Sequence, residues 1–430
     1  IPAVLAAGAS AVAFISVTLD ETVKDWSVFG LNWIFSGDAE GASAILGTVA
    51  GSMITITGVV FSMTLVALSL TSSQLGPRLL HNFMSDTTTQ MVLGTFVSTF
   101  LYCLLILRTV RRAEGATFIP HLSVSLAVLF AIVIVGVLIY FIHHVSVSIQ
   151  ANEIMARVGT ELNDGIERLF PARIGSGGPP ISAKQPSADF LDALDQTARP
   201  VCSSEDGYLQ FIDGDGLIEL AEQENVVIRL ARRPGHYIVA DCPLAMVWPE
   251  NRLSDTIKDR INTAFALGSQ RTPGQDIEFS VNQLVEIAVR ALSPGVNDPF
   301  TAISCVDHLG SALCRLAQRE LPSPYRHDRQ DQLRLIAPVI TFAEITDAAF
   351  NQIRQYGRSS AAVTIRMLEM ISVIAEFAHR PEQRAALLRH ADMIARGARD
   401  GLPEVEDRGA VEEAYQAACQ ACRKPARPGP

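Results

Sequence analysis

Long apolar runs separated by short polar breaks fill the first third of the chain, and they stop near residue 150. A hydrocarbon core of about 30 Å needs about 20 apolar residues of helix. Four runs reach that length: residues 1–19, closed by Asp20-Glu21; about 43–73, closed by Gly76-Pro77; about 91–110, closed by Arg111-Arg112 and capped by Asp86 or a following Thr; and about 121–142, opened by Pro120. In lipid only helices or a closed barrel satisfy every backbone group, and the alternation that a barrel requires is absent. The pattern therefore predicts an α-helical polytopic membrane domain of about four transmembrane helices over residues 1–150. Val145, Ile149, Ile154, Val158 and Leu162 keep a helical apolar spacing, so the fourth helix is expected to extend to about residue 170.

Residues 171–200 read as a linker around the Gly/Pro/Ser-rich stretch 175–187. A soluble α+β domain follows, mainly helical with a small β-rich module. The module occupies 201–250, with strands at 208–212, 226–230, 237–240 and 244–248 and a helix at 217–224. From 251 to 430 the period is helical, at about 254–266, 278–292, 300–319, 342–354, 361–377, 382–396 and 411–422, with an extended segment at 333–340. Asp213-Gly-Asp215-Gly216 hints at a calcium loop, but aligning Gly216 with the required glycine puts Phe211 at the first carboxylate position. Asp215 is better read as a helix cap.

Composition narrows the function classes. The net charge is -10, and most of the acid lies in the second half, without a stripe of Lys and Arg; nucleic acid is excluded as a partner. Seven scattered cysteines, one of them (Cys103) inside an apolar run, do not form a secreted disulfide framework. The chain opens at Ile1, so part of the natural N-terminus is expected to precede it; the first apolar run reads as an anchor and not as a signal peptide. Cys419-x-x-Cys422 lacks a second pair and is read as chance spacing, so no metal is expected. No nucleophile elbow, phosphate-binding loop, zinc-protease helix or dinucleotide fingerprint occurs, and neither enzyme activity nor a cofactor is expected.

The second span carries the most information. At 100° per residue, Thr48, Ser52, Thr55, Val59, Ser62, Val66, Ser69 and Ser73 share a face, with Gly47, Gly51 and Gly58 beside it and Thr57, Thr64 and Thr71 opposite. One reading is a pore-lining helix with a row of hydroxyls; the other is ordinary packing through small residues, with the hydroxyls bonded to their own backbone. Both place this helix at the centre. Arg78 and Arg108 lie at span ends, where they attract anions or snorkel to headgroups. His143 and His144 point about 100° apart and read as an interfacial anchor. In the soluble half, Arg271, Gln275 and Asp276 form one candidate ligand loop. Ser293, Asn297 and Asp298 form another, for which Asp298 as an N-cap, Pro299 at the first helical position and Asn297 at positive φ make a structural alternative.

The run 58–78 (GVVFSMTLVALSLTSSQLGPR), with 207–213 (GYLQFID), 271–276 (RTPGQD) and 291–299 (ALSPGVNDP), resembles a bacterial family of predicted membrane proteins, the domain of unknown function 2254. The resemblance implies a bacterial inner-membrane protein and supplies no substrate, catalytic residue or cofactor. Basic residues flank both sides of the spans about equally (Arg78, Arg157, Arg168 and Arg173 against Lys24, Arg108, Arg111 and Arg112). The size of the C-terminal domain and the unpaired cysteines favour the cytoplasm for it. The expectation is an oligomeric, channel-like or transport protein in the lipid bilayer, a homo-oligomer passing an ion or small solute. The alternative is a membrane-anchored regulator or scaffold whose soluble domain binds a ligand or partner protein.

Overall fold

The computed structural model describes residues 1–23, 35–75, 87–110, 118–148, 150–170 and 185–424, with only the backbone at 70–75 and 148. Lys24, Arg78, Asp86, Arg111, Arg112, Arg173, the Gly76-Pro77 break and most of the 175–187 stretch lie outside the described residues. The chain divides into two compact units, Ile1–Glu153 and Ile154–Pro430.

The first unit holds four helices long and apolar enough to cross a membrane. They are α1 (Pro2–Thr22), α2 (Ala39–Leu75), α3 (Thr87–Thr109) and α4 (His121–Ser148). At 1.5 Å per residue, α2 is about 55 Å long and must tilt or project from the bilayer. Helices α3 and α4 each touch the other three, and burial assigns the centre to α3. Of its apolar window 44% is buried, against 22% for α2, so within one chain the second span is peripheral and not central as its small residues implied. The cause is side-chain size. Helix α3 inserts the fully buried Phe96, Tyr102 and Ile106, and Tyr102 meets Phe130 of α4 edge-on at 5.1 Å. Helix α2 contributes the inward line Ala42, Leu46, Ala50, Met53, Val60 and Ala67 and leaves its glycine and hydroxyl face outside.

The extended fourth helix is corrected as well. Val147 O accepts from Gln150 N at 3.0 Å, a tight turn, and a separate helix α5 (Ala151–Leu169) follows α4. Its apolar line Ile154, Met155, Val158, Leu162 and Ile166 is buried.

In the second unit, helix α6 (Ala188–Thr197), capped by Ser187, occupies part of the stretch read as a linker. Five strands, β1 (Arg199–Cys202), β3 (Val227–Leu230), β5 (Pro243–Trp248), β7 (Tyr325–His327) and β8 (Leu333–Ile336), form a sheet in the order β1-β5-β3-β8-β7. Only the β3–β8 pair is parallel. Strands β2 (Gly207–Ile212), β4 (Tyr237–Ile238) and β6 (Phe265–Gly268) form an antiparallel sheet, β4-β2-β6. Helices α7 (Gly214–Glu224) and α8 (Asp255–Thr263) pack with the strands around Leu209, Leu217, Ile228, Val247 and Ile261. The helix expected over 254–266 is present as α8, and strand β6 corrects only its last residues. The short apolar run Ala-Phe-Ala-Leu fits either period, and pairing of Ile212 with Phe265 decides it. Asp213, not Asp215, caps α7, accepting from Gly216 N at 3.0 Å.

Six helices complete the unit: α9 (Ile277–Ala291), α10 (Pro299–Ala317), α11 (Phe342–Gly357), α12 (Ala361–Phe377), α13 (Pro381–Gly401) and α14 (Val405–Arg423). Helix α5 lies against α10, where Cys305 Sγ sits 3.3 Å from Met155 Sδ.

Candidate functional site

On α2 the residues singled out from the sequence, Thr48, Ser52, Thr55, Ser62 and Ser69, are all exposed in the protomer. Each hydroxyl in the first half already has a partner. Thr48 Oγ1 donates to Ala44 O at 2.7 Å, Ser52 Oγ to Thr48 O at 2.8 Å, and Thr55 Oγ1 to Gly51 O at 2.9 Å. Their donors are therefore spent, and their lone pairs face outward. A methyl group added at Gly47, Gly51 or Gly58 would meet no atom within 4 Å. Between residues 47 and 56 the face is a shallow groove of about 560 Å³. Further along, Val59, Phe61, Leu65 and Val66 are exposed around Ser62, so the hydroxyl row is bordered by bulky apolar groups there. The face changes character halfway.

A second polar assembly sits at the end of the bundle where α4 begins. Pro120 and His121 open α4 without a local side-chain cap, and a helix N-terminus leaves several N–H groups unpaired. Asp20, near the end of α1 and only 6% exposed, supplies the acceptor. Its Oδ1 takes Leu122 N at 2.9 Å, and its Oδ2 takes Ser123 N at 2.9 Å and Ser123 Oγ at 2.7 Å. Tyr102 OH donates to Ser123 O at 3.0 Å and lies 3.3 Å from Ser16 Oγ. The sequence reading missed this role because Asp20 served as the stop of the first span; the signal was an uncapped Pro-His start 100 residues away. Arg108 lies near this end, exposed in the last turn of α3. It lines a groove between α1 and α3 together with Glu21.

In the second unit the candidate loops turn inward. Arg271 Nε donates to Asp276 Oδ2 at 2.7 Å and its Nη2 to Oδ1 at 2.9 Å, a bidentate pair with Asp276 3% exposed in its side chain. Asp276 also caps α9 by accepting from Phe279 N. Gln275 clamps the backbone of Ile212, with Ile212 N donating to Oε1 at 2.9 Å and Nε2 donating to Ile212 O at 3.1 Å. Nearby Arg233 bridges Glu278 and Glu344, both at 3.3 Å. Burial, aided by Arg233, pushes the His236 imidazole down. Ser293 Oγ donates to Arg290 O at 2.6 Å. Asp298 caps α10, and the Thr301 hydroxyl, with the backbone N–H groups of Thr301 and Phe300, holds its carboxyl below the usual carboxylate range. Asn297 takes φ 51° and is exposed, and its side chain makes no hydrogen bond among the described residues. The structure brings 207–213 and 271–276 together as interlocking halves of one junction.

No solved structure matches this chain. It is similar to an uncharacterized protein of Mycobacterium tuberculosis (strain H37Rv) and to one of Mycobacterium bovis, each 33% identical over 397 residues, covering 91% of this chain and 75% of the relative. The profile of the predicted membrane protein family DUF2254 matches residues 1–372, all of the first unit and the second as far as residue 372. The chain belongs to that family.

Proposed function

We propose that the protein works as a homo-oligomer with a channel-like role, in which copies of α2 meet through the Gly47–Thr55 face. The observation that supports this most is the contrast between exposed surfaces. Helices α1 and α4 expose Phe14, Ile15, Ile132 and Ile139, which suit lipid tails, whereas the first half of α2 exposes Gly47, Thr48, Gly51, Ser52 and Thr55, which suit another helix backbone or water, before its second half turns apolar. Four spans enclose no path alone, so a pore needs several subunits around an axis. With the donors of Thr48, Ser52 and Thr55 spent on carbonyls, such a path offers acceptors. It favours water or cations, against the leaning toward anions that Arg78 and Arg108 gave. The bacterial inner membrane, with the C-terminal domain in the cytoplasm, is the location we infer.

The test uses Thr48→Cys and Thr55→Cys in nanodiscs, with native mass spectrometry for subunit number and cation flux in proteoliposomes. Disulfide-linked copies and a flux reduced at least tenfold by Ser52→Trp are expected. A monomer without cross-links would overturn the proposal. A membrane-anchored regulator is the second reading, and Asn297 is the loop residue whose side chain stays available for a ligand. Binding of a soluble ligand abolished by Asn297→Ala, without flux, would favour it.

A further inference from the structure

Outside the α2 face, the membrane unit carries a further concave surface with mixed chemistry. Between α1 and α3, at the end where α4 begins, lies a groove of about 710 Å³, within the range of about 300–1,000 Å³ typical of ligand pockets. Its floor is apolar, formed by Ala13, Val17 and Ile106 with the exposed Phe14 at one side. Its mouth is polar: Thr18, Glu21, Arg108 and Thr109. On α1 the lining runs from Ala13 to Glu21, eight helical rises or about 12 Å of helix. The groove therefore grades from hydrocarbon to charge along the bundle axis, as a lipid does.

The charges define the head. Arg108 and Glu21 line the same mouth, yet they do not pair with each other, and neither makes an ion pair or hydrogen bond with another described residue. Thr18 Oγ1 donates to Phe14 O at 2.8 Å and Thr109 Oγ1 to Ile106 O at 2.7 Å, so both hydroxyls present only lone pairs. Among the described residues the mouth offers one cationic donor and three acceptors. A guanidinium without a partner among them, at a membrane boundary, calls for a phosphate, and the acceptors around it call for an N–H donor. An anionic head would satisfy Arg108 and meet Glu21 as a like charge. A quaternary ammonium would offer no hydrogen to Glu21 or the threonines.

We propose that this groove binds a glycerophospholipid whose head carries both a phosphate and a primary ammonium, with the phosphate on Arg108, the ammonium on Glu21 and the hydroxyls, and an acyl chain along the α1–α3 floor. This site is separate from the α2 face and does not depend on oligomerisation.

The test measures lipid retained by the full chain, by native mass spectrometry after exchange into micelles containing equal amounts of ethanolamine, choline and glycerol phospholipids. Wild type is expected to retain the ethanolamine lipid at least fivefold over either competitor. Glu21→Gln should shift the preference to the glycerol lipid, and Arg108→Gln should abolish retention of all three. Both positions are exposed, so neither change threatens folding. Val17→Trp, which fills the floor, should act like Arg108→Gln whatever the head. Equal retention of the three lipids by wild type, a preference for the anionic lipid, or retention unchanged in the Arg108 and Glu21 variants would overturn the proposal.

Discussion

Asp276 is nearly sealed from solvent, holds Arg271 with both oxygens and caps α9, while Gly235 stands against it at φ 92°. A methyl group on Gly235 would come 2.3 Å from Asp276 Oδ2 and 2.9 Å from Arg271 Nη2. Removing the carboxylate charge leaves a largely buried guanidinium with only the longer contact to Glu278 at 3.9 Å, at a cost of about 3 kcal/mol. Gly235→Ala adds a clash to a backbone conformation that L residues avoid, and should cost about as much. Because both changes break the same junction, Asp276→Asn with Gly235→Ala should lose clearly less than the sum of the single losses, by denaturant unfolding of the full chain; strict additivity would show two independent sites. The sequence shows Arg271, Gln275 and Asp276 as a polar loop and so as a ligand site. Their true partners, Gly235 and Ile212, lie 36 to 63 residues earlier, and spacing along a chain carries no trace of such pairing. His390 behaves differently. Its ring is fully buried, Nε2 lies 2.7 Å from the Asp347 carboxylate and donates to it, and Nδ1 has no partner. Burial outweighs the carboxylate and lowers its pKa from 6.5. The unfolded chain then takes up a proton that the folded one resists, so this stability is present above about pH 6.5 and is lost as pH falls below it. Thermal unfolding should start lower at pH 5.5 than at pH 7.5, and His390→Leu should shrink that difference; an unchanged difference would remove His390 as the cause.

Among the elements, α2 and α4 show what a helix takes from its neighbours. Leu46 is fully buried in the seam, so Leu46→Ala should cost the protomer about 2–5 kcal/mol. A methyl group at Gly51 would meet no atom within 4 Å, and Gly51→Ala removes a weak helix former, so the protomer should gain up to about 1 kcal/mol. If copies meet on that face, the same substitution should weaken self-association, and the two effects have opposite signs in one protein. Sedimentation in matched-density detergent beside thermal unfolding reads both; stability and association moving together would mean that the face does not join subunits. Helix α4 depends on α1 for its cap. Asp20→Ala strips acceptors from two backbone N–H groups and a buried hydroxyl, and should cost about 2–4 kcal/mol. The four spans were legible because hydropathy and length act within one segment. That α3 and not α2 holds the centre was not, because it depends on which large side chains fill the gaps between helices, and small residues at α2 serve a partner outside the chain as readily as one inside it.

For the whole molecule, the boundary between the units decides what can stand alone. The apolar continuity from Val145 to Leu162 read as one rod, but the tight turn at 147–150 ends α4, and the apolar face of α5 is buried within the second unit. Periodicity could not separate these cases, since a lipid-facing helix and a core-facing one both repeat near 3.6 residues, and only the partner of the face differs. Leu162 and Ile166 are each 1% exposed, and the Met155 side chain meets Cys305 of α10. Gly159 lies so close to His308 that an added methyl would come 2.8 Å from its Nδ1. The second body therefore begins within α5 and not after the 171–200 stretch. A fragment spanning 154–424 should be soluble, monomeric in size-exclusion chromatography and cooperative in thermal unfolding. A fragment spanning 171–424 exposes the α10 surface that α5 covered, an apolar patch that should drive aggregation or lower the midpoint by several degrees. Equal behaviour of the two fragments would assign α5 to the membrane unit and show that its buried face contributes nothing to the stability of the second one.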